Sequence, residues 1–205
     1  MSEIATDRFP TTHPRLRRLR RRAAVSTLLT AAASTAVLFG ASPAYAVGPT
    51  TVSLANGQLT VQAAAGTDNN LTIGESTDTI FIRELSGGVA PLAGSGCVHE
   101  NGTGQVRCSK AGVTAVVVRS GDFNDRISVG APSTSGIRFT LLAGSGNDTI
   151  GGNTPRSVFR GEAGDDYVSS TSSTFVTTLD GGTGQDRCPG SRNVTDIRIG
   201  CESQQ

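Results

Sequence analysis

Four aspartates share one local pattern. Asp125, Asp148, Asp166 and Asp186 each follow a run rich in small residues and stand two positions before Ile127, Ile150, Val168 and Cys188. They are separated by 23, 18 and 20 residues. Three of the segments, Leu141–Ile150, Phe159–Val168 and Leu179–Cys188, align without gaps. Each reads apolar, any, small, Gly or Glu, any, Gly, polar, Asp, any, apolar or Cys. A weaker copy, Val118–Ile127, carries Phe123 where the others have their second glycine. A carboxylate beside glycine-exposed backbone carbonyls is an all-oxygen donor set. Ca²⁺ takes six to eight such ligands at about 2.3–2.6 Å. With no histidine or thiol donor in the pattern, the set favours Ca²⁺ over transition metals. The candidate ligands and turn-formers are Asp148, Asp166 and Asp186 with Gly144, Gly146, Gly161, Gly164, Gly182 and Gly184, and Asp125 in the weaker copy. A single Gly/Asn/Asp cluster would read as an ordinary β-turn; three in register favour calcium.

The segments match the nonapeptide G-G-x-G-x-D-x-U-x, in which U is a large apolar residue. Gly181–Pro189 fits best, with a cysteine at U. Over about residues 118–188 the chain resembles the RTX, or hemolysin-type, calcium-binding repeat family, and in particular its short exported bacterial members. The resemblance implies an all-β fold: a right-handed parallel β-roll or β-helix whose Gly-rich turns bind Ca²⁺ and whose apolar position points inward. The chain departs from the large toxins of that family, which are exported without a cleaved N-terminal signal, so calcium binding is the property that carries over.

An 18-residue spacing is two nonapeptides, one for each edge of a full coil. On the second edge Ser157 replaces the aspartate and Ser170–Thr178 has lost the pattern. Calcium turns are therefore expected along one edge only. The longer coils should bulge on the other, around Ala131–Gly136 and Ser170–Thr174. Strands stack about 4.8 Å apart, which puts the aspartates in a column of like charges. Each adjacent pair would repel by roughly 3 kcal/mol before screening, so the column calls for counter-ions. Two ions are expected, between Asp148 and Asp166 and between Asp166 and Asp186.

The elements that must hold this column are strands. Thr51–Leu54 and Leu59–Gln62 flank the turn Asn56-Gly57 and predict a hairpin or a first coil. Thr79–Arg83, Ala115–Arg119 and Asp125–Val129 supply further strands, and Gly66–Asn70 is a degenerate turn lacking the aspartate. Residues 47–117 form the expected N-terminal β region, ahead of a calcium-binding roll with its C-terminal cap over 118–205. Upstream, six arginines between Arg15 and Arg22, a mildly apolar stretch and Ala44-Tyr45-Ala46 predict a signal peptide over residues 1–46. Its Ser and Thr residues make it a poor membrane span.

The formal charge of the whole chain is +1, but residues 47–205 carry 11 basic against 15 acidic residues. That excess of negative charge argues against nucleic-acid binding, and no membrane association is expected after cleavage. All four cysteines follow the leader, where export permits disulfides. Of the three connectivities, Cys97–Cys108 with Cys188–Cys201 is favoured because each closes a short loop. No C-x-x-C occurs and His99 is the single histidine beyond residue 46, which makes zinc and histidine-dependent catalysis improbable. No H-E-x-x-H, G-x-S-x-G or phosphate loop is present. The reading is a secreted, non-enzymatic calcium-binding protein, with cell-wall or extracellular polysaccharide as a candidate partner. The alternative is a β-helix carbohydrate-active enzyme or polysaccharide-binding protein.

Overall fold

The computed structural model describes residues 48–86, 89–130, 136–172, 174–191 and 196–202. The expected signal peptide and the stretch 131–135 of the expected bulge lie outside the described residues. The strands in chain order are β1 (Thr51–Ala55), β2 (Gln58–Gln62), β3 (Asn70–Glu75), β4 (Thr79–Glu84), β5 (Leu92–Ala93), β6 (Cys97–Glu100), β7 (Gln105–Ser109) and β8 (Ala115–Asp122). They continue as β9 (Arg126–Val129), β10 (Arg138–Ser145), β11 (Thr149–Gly152), β12 (Val158–Ala163), β13 (Tyr167–Ser170), β14 (Thr178–Thr183) and β15 (Ile197–Ile199). The protein is all-β, and among the described residues there is no helix.

Alternation of apolar and polar residues gives most strands one buried face. In β10, Phe139, Leu141 and Ala143 point inward; in β4, Ile80 and Ile82 do so. The strands form two mixed sheets, ordered β15-β14-β12-β10-β8-β2-β1-β5 and β13-β11-β9-β3-β4-β7-β6. Their inner faces share one apolar cluster that includes Leu59, Leu71, Ile73, Val116, Phe139, Ile150, Phe159, Val168 and Leu179.

Two pairing regimes meet within these sheets. Toward the N-terminus, β1–β2, β3–β4, β4–β7 and β6–β7 are antiparallel. The expected hairpin is present: Asn56 and Gly57, with φ of 51° and 75°, make the two-residue β1–β2 turn. This is the positive-φ turn that matches strand twist. From β8 onward every pairing is parallel. In the first sheet β8, β10, β12, β14 and β15 lie side by side, and in the second β9, β11 and β13 do. The register reproduces the aspartate spacing: Val116 faces Phe139, 23 residues on; Leu141 faces Phe159, 18 on; and Phe159 faces Leu179, 20 on.

Each Gly–Asp segment carries the chain from a strand of the first sheet to one of the second: β8 to β9, β10 to β11 and β12 to β13. All of these turns therefore lie on one edge. The extra residues of the longer repeats lie in the chain between β9 and β10 and between β13 and β14, not within the Gly–Asp turns. The N-terminal region is not a separate body. β2 and β3 pair in parallel with β8 and β9, so residues 63–69 form one more turn of the same edge. The described residues accordingly cluster as one compact unit.

Both favoured cysteine pairs lie at bonding distance. Cys97 and Cys108 face each other across β6 and β7, with sulfurs 2.06 Å apart. Cys188 and Cys201 join the last Gly–Asp turn to the C-terminal segment, at 1.98 Å.

Candidate metal centre

Successive turns place Asp125, Asp148, Asp166 and Asp186 in one column, each at most 3% exposed. The column is held by a repeated hydrogen bond. The amide of Asp125 donates to Asp148 Oδ1 at 2.7 Å, that of Asp148 to Asp166 Oδ1 at 2.8 Å, and that of Asp166 to Asp186 Oδ1 at 2.8 Å. Both ends extend beyond the repeats. Asn69 donates to Asp125 Oδ1 at 2.7 Å, and Asp186 donates to Glu202 Oε2 at 2.7 Å. Every buried amide in this row thus has an acceptor, which a buried donor requires.

The other carboxylate oxygen behaves differently. Oδ2 of Asp125, Asp148, Asp166 and Asp186 is buried without a hydrogen-bond partner. A buried carboxylate lacking compensation favours its neutral form. Burial pushes Asp148 up to about 7 and both Asp125 and Asp166 up to about 6; in each, the amide bond to the carboxylate opposes the rise. Neighbouring carboxylates add to it, Asp125 and Asp166 acting on Asp148. Asp186 is also raised, by burial first and by the nearby Glu202 among other charges.

The glycines fall into three positions with distinct tasks. Gly121, Gly144 and Gly182 have φ of 113°, 117° and 106°, and Glu162 occupies the same place at 78°. Two residues on, Gly146, Gly164 and Gly184 lie at 139°, 138° and 142°. A side chain is strained there, and space forbids one as well. A Cβ on Gly146 would overlap the Phe123 carbonyl oxygen, one on Gly164 the Gly146 carbonyl, and one on Gly184 the Gly164 carbonyl. The third position is the inward one, where Gly161 and Gly181 follow Ser120 and Ala143. A Cβ on Gly161 would run into Asp166 Oδ2 and lie 2.5 Å from the Gly181 carbonyl oxygen. Gly161 therefore serves close approach of carboxylate and carbonyl rather than a positive φ. Phe123 accepts φ of 72° in its turn, so the weaker copy closes in the same sense as the others.

A second row runs beside the first at the exposed tip. Asn124 donates from its amide to Asp68 Oδ1 at 3.0 Å, Asn147 to Asn124 Oδ1 at 2.7 Å, Asp165 to Asn147 Oδ1 at 2.9 Å, and Gln185 to Asp165 Oδ1 at 2.9 Å. In the column the amide reaches forward to the next layer; at the tip it reaches back. The polar residue before each aspartate was the signal for this row. Asn69 lies in the degenerate turn Gly66–Asn70, two positions before Leu71, whereas Glu202 had no signal, since it sits in no repeat. The opposite edge has its own short series. Ser157 Oγ accepts the Phe139 amide at 3.0 Å and Asp196 Oδ1 accepts the Thr177 amide at 2.9 Å. The inward U positions Ile127, Ile150, Val168 and Cys188 are all buried.

Among the described residues no three His, Cys, Asp or Glu side chains converge on a point. A cation here needs backbone oxygens to complete its shell. The partnerless Oδ2 atoms and the glycine positions that hold carbonyls against them suit a hard cation, and the all-oxygen chemistry excludes soft ligation. His99 lies outside this region, its Nε2 accepting the Ala93 amide at 3.3 Å.

Fold and site together define an all-β protein with a buried carboxylate column running between glycine turns. The chain matches no family model, no curated protein and no solved structure.

Proposed function

We propose that this is a secreted calcium-binding protein of the RTX type, in which Ca²⁺ held at the Gly–Asp edge stabilises a parallel β-roll. The observation that carries the reading is the row of buried Oδ2 atoms without partners. Four carboxylates stacked in this way repel one another and resist ionisation, whereas a divalent cation compensates both penalties. Asp125, Asp148, Asp166 and Asp186 would supply one oxygen each while Oδ1 keeps its amide bond. Gly144, Gly146, Gly164, Gly182 and Gly184 set the turn, and Gly161 admits the carboxylate close to the backbone. Bound Ca²⁺ supplies positive charge and an oxygen-hungry centre that ties adjacent layers together.

Two disulfides fit an oxidising compartment, and an affinity on the order of 10⁻⁴–10⁻³ M would suit extracellular calcium. We read the chain as a binding protein rather than a carbohydrate-active enzyme, because the column's carboxylates face inward, away from any substrate. The test is a Ca²⁺ titration of the chain followed by circular dichroism and Tm, beside the variant D148N+D166N. Asparagine keeps the Oδ1 acceptor and removes the charge. Calcium should raise Tm in the parent and leave the variant nearly unmoved. An equal rise in both, or none in the parent, overturns the reading.

A further inference from the structure

The acidic column continues past the last Gly–Asp turn into a segment with no repeat pattern. Asp186 is fully buried and its Oδ2 has no partner. Its amide donates to Glu202 Oε2, and the amide of Glu202 donates back to the Asp186 carbonyl at 3.0 Å. Glu202 thus occupies, one layer on, the place that Asp186 occupies for Asp166. The Gly200 carbonyl lies at the same corner. A Cβ on Gly181 would overlap it and would lie 2.6 Å from Asp186 Oδ2. A carboxylate oxygen without a partner and a backbone carbonyl therefore flank one point, with a second carboxylate beside them.

The strand pairing that holds this segment is short. β15 pairs with β14 over only three residue pairs, and Ile197 and Ile199 are 54% and 51% exposed. The covalent tie is the Cys188–Cys201 disulfide, which anchors the residue before Glu202 to the second residue after Asp186.

We propose that Asp186, the Gly200 carbonyl and Glu202 form a separate divalent-cation site at the C-terminal end of the column, assembled by the Cys188–Cys201 disulfide. It lies one layer beyond the repeat-to-repeat positions. The hard-oxygen donors select Ca²⁺ over softer ions. The site rests on the calcium reading of the column but depends on residues that the repeats do not supply.

The experiment is isothermal titration of the oxidised full chain with CaCl₂, beside E202Q and C188S+C201S. Glutamine at 202 keeps an acceptor for the Asp186 amide and leaves the disulfide intact. Both variants should bind about one Ca²⁺ fewer per chain than the parent, with the other sites unchanged. Full stoichiometry in E202Q overturns the terminal site and leaves the repeat sites standing. One ion fewer in E202Q with full binding in C188S+C201S overturns the role of the disulfide. No binding by the parent overturns this site together with the calcium reading. Should C188S+C201S fail to fold, the parent titrated after mild reduction, with its fold followed by circular dichroism, gives the same readout.

Discussion

The antiparallel region and the parallel region close one core with different means. In β1–β7, neighbours in space are mostly neighbours in sequence, and hairpins bring them together. The Cys97–Cys108 disulfide and the ion pairs Lys110–Glu75 at 2.8 Å and Arg107–Glu100 at 3.0 Å fasten that part. From β8 onward each strand pairs with one 18 to 23 residues away, so no local turn closes a pair. Adjacent layers are tied instead by side chains that accept the amides of the layer before. That device buries a carboxyl group in every layer. Ion dependence should therefore be confined to the parallel region.

The largest effect should come from D148A+D166A, which strips acceptors from the buried amides of Asp125 and Asp148. Each orphaned donor costs about 1–3 kcal/mol, so Tm should fall by roughly 5–20 °C. Hydrogen exchange should speed up across residues 118–188 while β3–β4 keep their protection. A uniform loss would erase the distinction between the regions.

Turn glycines test the same contrast. Gly164 has φ of 138° and a carbonyl where its Cβ would go, whereas Gly66 has φ of 77° with nothing within 4 Å. Alanine at 164 should cost about 3 kcal/mol and alanine at 66 about 1 kcal/mol, measured by denaturant unfolding. Equal costs would mean that the layers can part without penalty.

The raised carboxyls of Asp125, Asp148 and Asp166 give a pH dependence of definite sign. The folded, calcium-free column prefers protons, so its contribution is complete below about pH 4 and is lost as pH rises through 6 to 7. In chelator, stability should fall as pH rises from about 4 to 7, and millimolar Ca²⁺ should flatten the drop. A Tm that climbs with pH in chelator would contradict the burial of the column.

The smallest effect belongs to the opposite edge. S157A removes the acceptor of the Phe139 amide, for a loss of about 1 kcal/mol that calcium should not change. A calcium-sensitive S157A would place ions on both edges.

Much of the site was legible because repetition is visible in a single chain. Three gapless copies placed Asp148, Asp166 and Asp186 on one edge, and the Asn56-Gly57 turn placed the first hairpin. Gly66–Asn70 was legible as a degenerate turn, though not the bond from the Asn69 amide to Asp125 across 56 residues; Glu202 was not legible, since it joins the column across 16 residues without any motif. Gly161 was read as a turn glycine, but its task is set by the Asp166 carboxylate folded back against it.

What the sequence by itself determined is the periodic part: the strand alternation, the glycines that permit positive φ, and the spacing that returns each aspartate to the same edge. Tertiary structure alone decided which carboxylate oxygen bonds an amide and which is left buried without a partner. It also decided that the N-terminal hairpins and the C-terminal Glu202 extend the same column. Periodicity is a property of neighbours along the chain, whereas desolvation and hydrogen-bond partners depend on which layers meet in space.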